Sequence, residues 1–77
     1  MAIHILFFGS LVDATSVSTI ELQDLPDTDT VQSLLNERFP PLQTKKYFIA
    51  VNQEMIQENK TIKAGDVVAL MPPFSGG

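Results

Sequence analysis

Apolar residues fill nearly every position from Ala2 to Phe8 and again from Val67 to Met71, while the stretch between is patterned in shorter bursts. A run apolar on both faces is the mark of a strand at the centre of a sheet, or of one whose second face is covered by a partner. The first strand is therefore predicted over Ala2–Phe8, closed by Gly9-Ser10, and the last over Asp66–Met71. Ser16–Leu22 alternates polar and apolar with one break in phase, which predicts an edge strand in a hairpin with the first and places Val17, Ile20 and Leu22 near the core. Val31, Leu34, Leu35 and Phe39 recur at helical spacing, giving a helix with one buried stripe that starts at Val31 and ends at Pro40-Pro41. Thr30, or Asp29 before it, is placed to accept the free N–H groups of its first turn. Asp27 and Asp29 near its start and Arg38 near its end complement the helix dipole. Tyr47–Asn52 predicts a third strand, Asn52-Gln53 a tight turn, Met55-Ile56 a short fourth strand, and Lys63-Ala64-Gly65-Asp66 a turn in which Gly65 takes positive φ.

The predicted order is strand, strand, helix, strand, short strand, strand, without repeats or linker. Two long two-sided apolar strands from opposite ends of the chain are best explained as the paired centre of one sheet, with the helix on one face. This is an α+β chain of β-grasp (ubiquitin-like) type: a mixed sheet with one main helix packed on one face. Residues 1–71 form that domain, and residues 72–77 are read as an extended, flexible C-terminal tail.

One helix covers only one sheet face. Alternation assigns Ile3, Ile5 and Phe7 to one side and His4, Leu6 and Phe8 to the other; Val68 and Leu70 oppose Val67, Ala69 and Met71. With the helix over the first set, Leu6, Phe8 and Met71 remain in water, and Phe48 and Ala50 extend the surface. An apolar patch of this kind marks a protein interface. The competing reading is a phase shifted by a single bulge, which would make the patch core.

Composition narrows the functions. With 77 residues, 44% hydrophobic and 18% charged, the chain is one small domain and neither a disordered tail nor a collagen-like repeat. No cysteine is present, which removes disulfides, thiolate zinc sites and thiol nucleophiles and fits a reducing cytosol; the expected location is cytoplasmic. The apolar N-terminus lacks the basic flank of a signal peptide, since no Lys or Arg precedes Arg38, and is too short to cross a bilayer. A net charge of −4 argues against nucleic acid and favours a basic protein partner, although solubility alone explains the same charge. No metal cluster, phosphate loop or nucleophile motif is visible; His4 is the sole histidine, and Asp66 reads as turn chemistry.

The chemistry lies in the last residues, Met71-Pro72-Pro73-Phe74-Ser75-Gly76-Gly77. Two prolines cannot extend a hydrogen-bonded strand, and two glycines have no side chain to pack. The segment is expected to project from the body and reach about 20 Å from the sheet at ~3.3 Å per residue; the bland alternative is a frayed end. A free carboxylate on Gly77, with a pKa of about 3.5, is ionised at neutral pH and can attack the α-phosphate of ATP, and a narrow channel in a partner favours glycine because a Cβ would meet its walls. Patch and tail then act as one unit.

Leu6-Phe7-Phe8-Gly9, Thr30-Val31, Ala50-Val51-Asn52-Gln53 and the closing run from Gly65-Asp66-Val67-Val68 to Pro72-Pro73-Phe74-Ser75-Gly76-Gly77 resemble the small, sulfur-carrier subunits of molybdopterin synthase, nearly end to end. The resemblance implies a sulfur carrier in molybdenum cofactor biosynthesis, non-catalytic by itself. On the same resemblance an E1-like adenylating enzyme would activate Gly77, using ATP and magnesium, and a sulfur-donating protein would convert the adenylate to a thiocarboxylate. The tail residues Phe74, Ser75, Gly76 and Gly77 would then insert into the large subunit of a heterotetrameric synthase, where sulfur passes to a pterin precursor; this chain itself is expected to bind no cofactor, nucleic acid, membrane or metal. The resemblance also maps partner contacts onto Phe8 and Met71 of the patch and onto Phe74–Gly77; the alternation reading adds Leu6 and Phe48 to that docking patch. A Gly-Gly end alone is shared with carriers for thiamine or tRNA thiolation and with ubiquitin-like modifiers; Pro72-Pro73 favours the molybdopterin branch. Met71, where an aromatic is common, and the bulky Phe74 are departures that bear on partner fit.

Overall fold

The computed structural model describes residues 2–23 and 25–73. Its elements are β1 (Ala2–Phe7), α1 (Ser10–Thr15), β2 (Thr19–Gln23), α2 (Thr28–Arg38), a 3-10 helix (Pro40–Thr44), β3 (Phe48–Val51), β4 (Glu54–Ile56) and β5 (Val67–Met71). The strands form one five-stranded sheet in the order β2-β1-β5-β3-β4. The β1 and β5 strands pair in parallel at its centre, with His4 opposite Val67 and Phe7 opposite Leu70, and the other pairs are antiparallel. The two-sided apolar runs are thus the central strands, as their pattern requires, and the fold is the β-grasp.

Ile3, Ile5, Phe7, Val68 and Leu70 point into a core completed by Leu11, Leu22, Val31, Leu35, Leu42, Val51 and Ile62. Phe7 meets Phe39 edge to face, with centroids 5.8 Å apart at 77°, which fixes the end of α2 over the sheet. The face assigned to the core by alternation is the buried one.

Three local features depart from the sequence expectation. The β1–β2 hairpin keeps its antiparallel pairing but contains α1. Leu11 and Thr15, four residues apart, bury on one side of this short helix; the Thr15 hydroxyl donates to the Leu11 carbonyl at 3.2 Å, and Ser16 at φ 66 ends it. That detour delays β2 to Thr19, so Val17 is 37% exposed rather than near the core, while Ile20 is half-buried and Leu22 buried. The α2 helix begins at Thr28, before the predicted Val31, because the cap is Asp27: its Oδ1 accepts the Thr30 N–H at 2.9 Å and the Thr30 hydroxyl at 2.6 Å. Thr30 is therefore a donor to the cap. Pro40-Pro41 does end α2, yet the chain continues into the 3-10 helix and buries Leu42.

Long-range hydrogen bonds tie the segment after β4 to the start of α2. Asn59 accepts from the Asp29 N–H at 2.8 Å and donates to Asp27 at 3.3 Å; Thr28 and Lys60 exchange bonds of 2.9 Å each; the Ile62 N–H reaches the Pro26 carbonyl at 3.0 Å. The predicted Asn52-Gln53 turn has φ of 51° and 72°, the mirror-type geometry that matches strand twist, and Gly65 takes φ 90° in its turn.

Candidate functional site

The sheet face turned away from the helices is apolar. Leu6, Ala50, Met55, Val67, Ala69 and Met71 line a shallow depression of about 1230 Å³ together with Phe8 and Pro72. Strand register builds it: Ala69 stands between Leu6 on β1 and Ala50 on β3, and Met55 follows on β4 opposite Ala50. Phe8 is 47% exposed and Met55 55%, while Leu6 and Met71 are half-buried. Ser10, Asp13, Asn52 and Gln53 form a polar rim. Apolar rings and thioethers left in water in one contiguous area supply what a docking partner needs: area to bury and little to desolvate.

Leu6, Phe8 and Met71 are thus brought together as expected. Phe48, 45% exposed and opposite Met71 in the β3–β5 ladder, faces a second, smaller depression with Gln32, Lys45, Lys46, Tyr47 and Pro73. Ala50 does not extend the exposed surface: at 2% exposure its methyl is the floor between Ala69 and Met55. Met55 escaped the sequence reading, although the two-residue turn at Asn52-Gln53 contains the signal. Counting outward from that turn pairs Val51 with Glu54 and Ala50 with Met55, which puts Met55 on the open face.

Strand β5 ends at the edge of this depression. The last rung between the central strands is the Phe8 N–H donating to the Leu70 carbonyl at 3.0 Å, after which Met71 and Pro72 line the apolar floor. Pro72 is half-buried and Pro73 exposed. Phe74, Ser75, Gly76 and Gly77 lie outside the described residues.

The polar groups near the face do structural work. The Asp66 carboxylate accepts from the Asn52 amide at 3.1 Å and the Lys63 N–H at 2.9 Å, and the Asn52 carbonyl oxygen accepts the Val67 N–H at 2.9 Å, so the turn before β5 is latched to the turn after β3. These bonds, the Asn52 one first, hold the Asp66 carboxyl below its usual range. Asp66 is turn chemistry, as its sequence context implied. His4, on the open face, has a partner that the sequence did not reveal: Nδ1 is 3.7 Å from Glu21 across the β1–β2 ladder. Among the described residues no cluster of His, Asp and Glu is placed to hold a metal ion, and no helix is long and apolar enough to cross a membrane.

Comparison with known proteins bears on both halves of this description. The chain is 34% identical, over an alignment of 83 positions, to the molybdopterin synthase sulfur carrier subunit of Chlamydomonas reinhardtii, with the whole of each chain covered. It superposes with a TM-score of 0.75 and 28% identity, over the full length of both chains, on a chain of the complex of subunits 1 and 2 of molybdopterin-converting factor from Helicobacter pylori 26695. SAMP1 from Haloferax volcanii, with a TM-score of 0.82, 21% identity and both chains fully covered, shares the fold. The ThiS family model matches residues 5–77, a span that takes in β1 from Ile5 onward, all of β5, and the closing Pro-Pro and Gly-Gly steps. A β-grasp core, one apolar sheet face left open, and Pro72-Pro73 at the edge of that face are therefore the frame of a chain that belongs to the ThiS family.

Proposed function

We propose that this chain is the sulfur carrier subunit of a molybdopterin synthase. The observation that carries the reading is continuity: the open apolar face runs without interruption into Met71 and Pro72, the root of the arm that ends on Gly76-Gly77. A partner seated on that face receives the arm at a defined point. The full-length relative named for this role in Chlamydomonas reinhardtii supports the same reading.

The large synthase subunit binds through Phe8, Leu6 and Met71, with Phe48 at the side of the contact; the superposed Helicobacter pylori chain comes from a complex with a second subunit. The assembled synthase is a heterotetramer, and the reacting group of this chain is the Gly77 carboxylate. An E1-like enzyme docks on the same face. The carboxylate attacks the α-phosphate of ATP, pyrophosphate leaves, and the carbonyl carbon becomes electrophilic. Sulfide-level sulfur delivered by a donor protein displaces AMP to leave a thiocarboxylate; inside the large subunit its sulfur is transferred to a pterin precursor, and a water supplies the oxygen that restores the carboxylate. Glycine at both terminal positions suits passage through narrow channels in two enzymes, because neither brings a Cβ.

Incubation with a cognate activating enzyme, ATP and a sulfur donor, followed by intact-mass measurement, tests the proposal. One oxygen-to-sulfur exchange on the chain, lost on addition of large subunit and pterin precursor, is the expected result. A chain that never acquires sulfur overturns it, and stable adducts of the intact chain on other proteins would point to a modifier instead.

A further inference from the structure

Gly9 sits between the end of β1 and the start of α1 with φ 57 and ψ −135, a backbone conformation that side chains with a Cβ rarely adopt. Its position matters as much as its torsions. A Cβ built on Gly9 would lie 2.9 Å from Cγ and 3.4 Å from Cδ of Pro72. A separation of 2.9 Å is well inside carbon–carbon contact, and the obstacle is a closed ring that cannot swing away as a flexible side chain would. The Pro72 ring thus rests on the bare backbone of Gly9. Next to it, the Phe8 N–H makes the last rung to Leu70, so the turn is fixed to β5 one step before the prolines.

We propose that Gly9 is a positioning residue for the C-terminal arm: the place left by its missing side chain is the seat of the Pro72 ring, and that contact sets the direction in which the chain leaves the sheet. This rests on the reading of the arm as the working end. Pro72 is an imino acid with fixed φ and no N–H to anchor it in the ladder, so ring packing replaces hydrogen bonding at the first residue past the strand. A methyl at position 9 lifts the ring and tilts everything beyond it. A chain redirected at its root is delivered less often into a fixed site, where misplacement of about an ångström costs up to ~100-fold in rate.

The chain has no native cysteine, so Ser75→Cys gives a unique site for a nitroxide label. Line broadening of backbone amides in the labelled full chain reports where the arm points, without any sulfur chemistry. Gly9→Ala is expected to move the broadened set of amides on the open face and to lower kcat/KM for sulfur transfer in the reconstituted synthase by roughly ten- to a hundredfold. Pro72→Ala, which leaves the Gly9 backbone untouched, is expected to widen the broadened set. In the Pro72→Ala background the position-9 methyl should change the pattern and kcat/KM much less than in the parent, because the part of its effect that acts through the ring contact is already gone and only the strain of its positive φ remains. A strained turn alone predicts the opposite: equal effects of Gly9→Ala in both backgrounds. That result, or an unchanged pattern in Pro72→Ala, overturns the seat. If Gly9→Ala does not fold, the Pro72→Ala pattern decides alone. If the parent chain carries no sulfur while the label patterns behave as expected, the seat stands and the proposed function is what fails.

Discussion

Phe7 and Phe8 are adjacent, identical in composition and opposite in fate, so truncating each in turn tests the face assignment directly. Phe7 is 3% exposed and packs edge to face on Phe39; Phe8 is 47% exposed on the open face. Phe7→Ala opens a cavity in the core cluster beneath Phe39 and is expected to cost about 3–5 kcal/mol. Full burial of a phenylalanine is worth about 1.5–3 kcal/mol, so Phe8, half in water already, stands to lose only about 1 kcal/mol. For a domain of this size each kcal/mol shifts Tm by roughly 4–8 °C. Phe7→Ala should thus melt at least ~10 °C below Phe8→Ala, measured by urea titration and thermal circular dichroism. The binding ranking should invert. Phe8→Asp, folded, is expected to weaken docking of the large subunit at least ~30-fold, the scale of a central interface anchor, read by calorimetry. Equal destabilisation by Phe7→Ala and Phe8→Ala would refute the assignment, and Phe8→Asp binding with parental affinity would refute the docking face.

Deleting Gly76-Gly77 should leave the urea midpoint unchanged and abolish sulfur loading in the mass assay. Gln53 holds φ 72 in the β3–β4 turn, where a side chain is strained, so Gln53→Gly should raise stability by about 0.5–1 kcal/mol, read as a higher Tm. Acid should destabilise in a defined window. The Asp27 carboxyl, through the Thr30 bonds first, and the Asp66 carboxyl, through the Asn52 bond first, sit below the ordinary 3.8; a depressed folded value stabilises above 3.8 and the gain is lost as pH falls through the folded value. The urea midpoint should drop on acidification below about pH 4, and the drop should shrink in Asp66→Asn. Tyr47 behaves oppositely: burial raises its phenol above 10.0, against hydrogen bonds to Gln32 and Asn36, so its contribution is lost as pH rises through that folded value. Tyr47→Phe should flatten the alkaline side of the stability profile.

The amino-acid sequence by itself determined what depends on local pattern. Two-sided apolar runs marked β1 and β5 as central, period-two alternation separated Phe7 from Phe8, and the Asn52-Gln53 and Gly65 turns were legible because turn torsions are a property of the residues that adopt them. The closing Pro-Pro and Gly-Gly steps are the ground on which the working arm is proposed. Only the tertiary structure decided the rest. The α1 helix is six residues long, too short to show a period, and it exists because Leu11 and Thr15 find the core. Asp27 won the cap over Asp29 and Thr30 because Asn59 and Lys60, some thirty residues on, hold that turn in place. Met55 joined the open face through its pairing with Ala50, and Ala50 sank beneath it, since burial depends on the neighbours of a strand as well as on its own alternation. The meeting of Gly9 with Pro72 belongs to the same class. Two residues more than sixty positions apart touch because β1 and β5 lie side by side, and a contact made by chain topology leaves no trace in the local pattern of either segment.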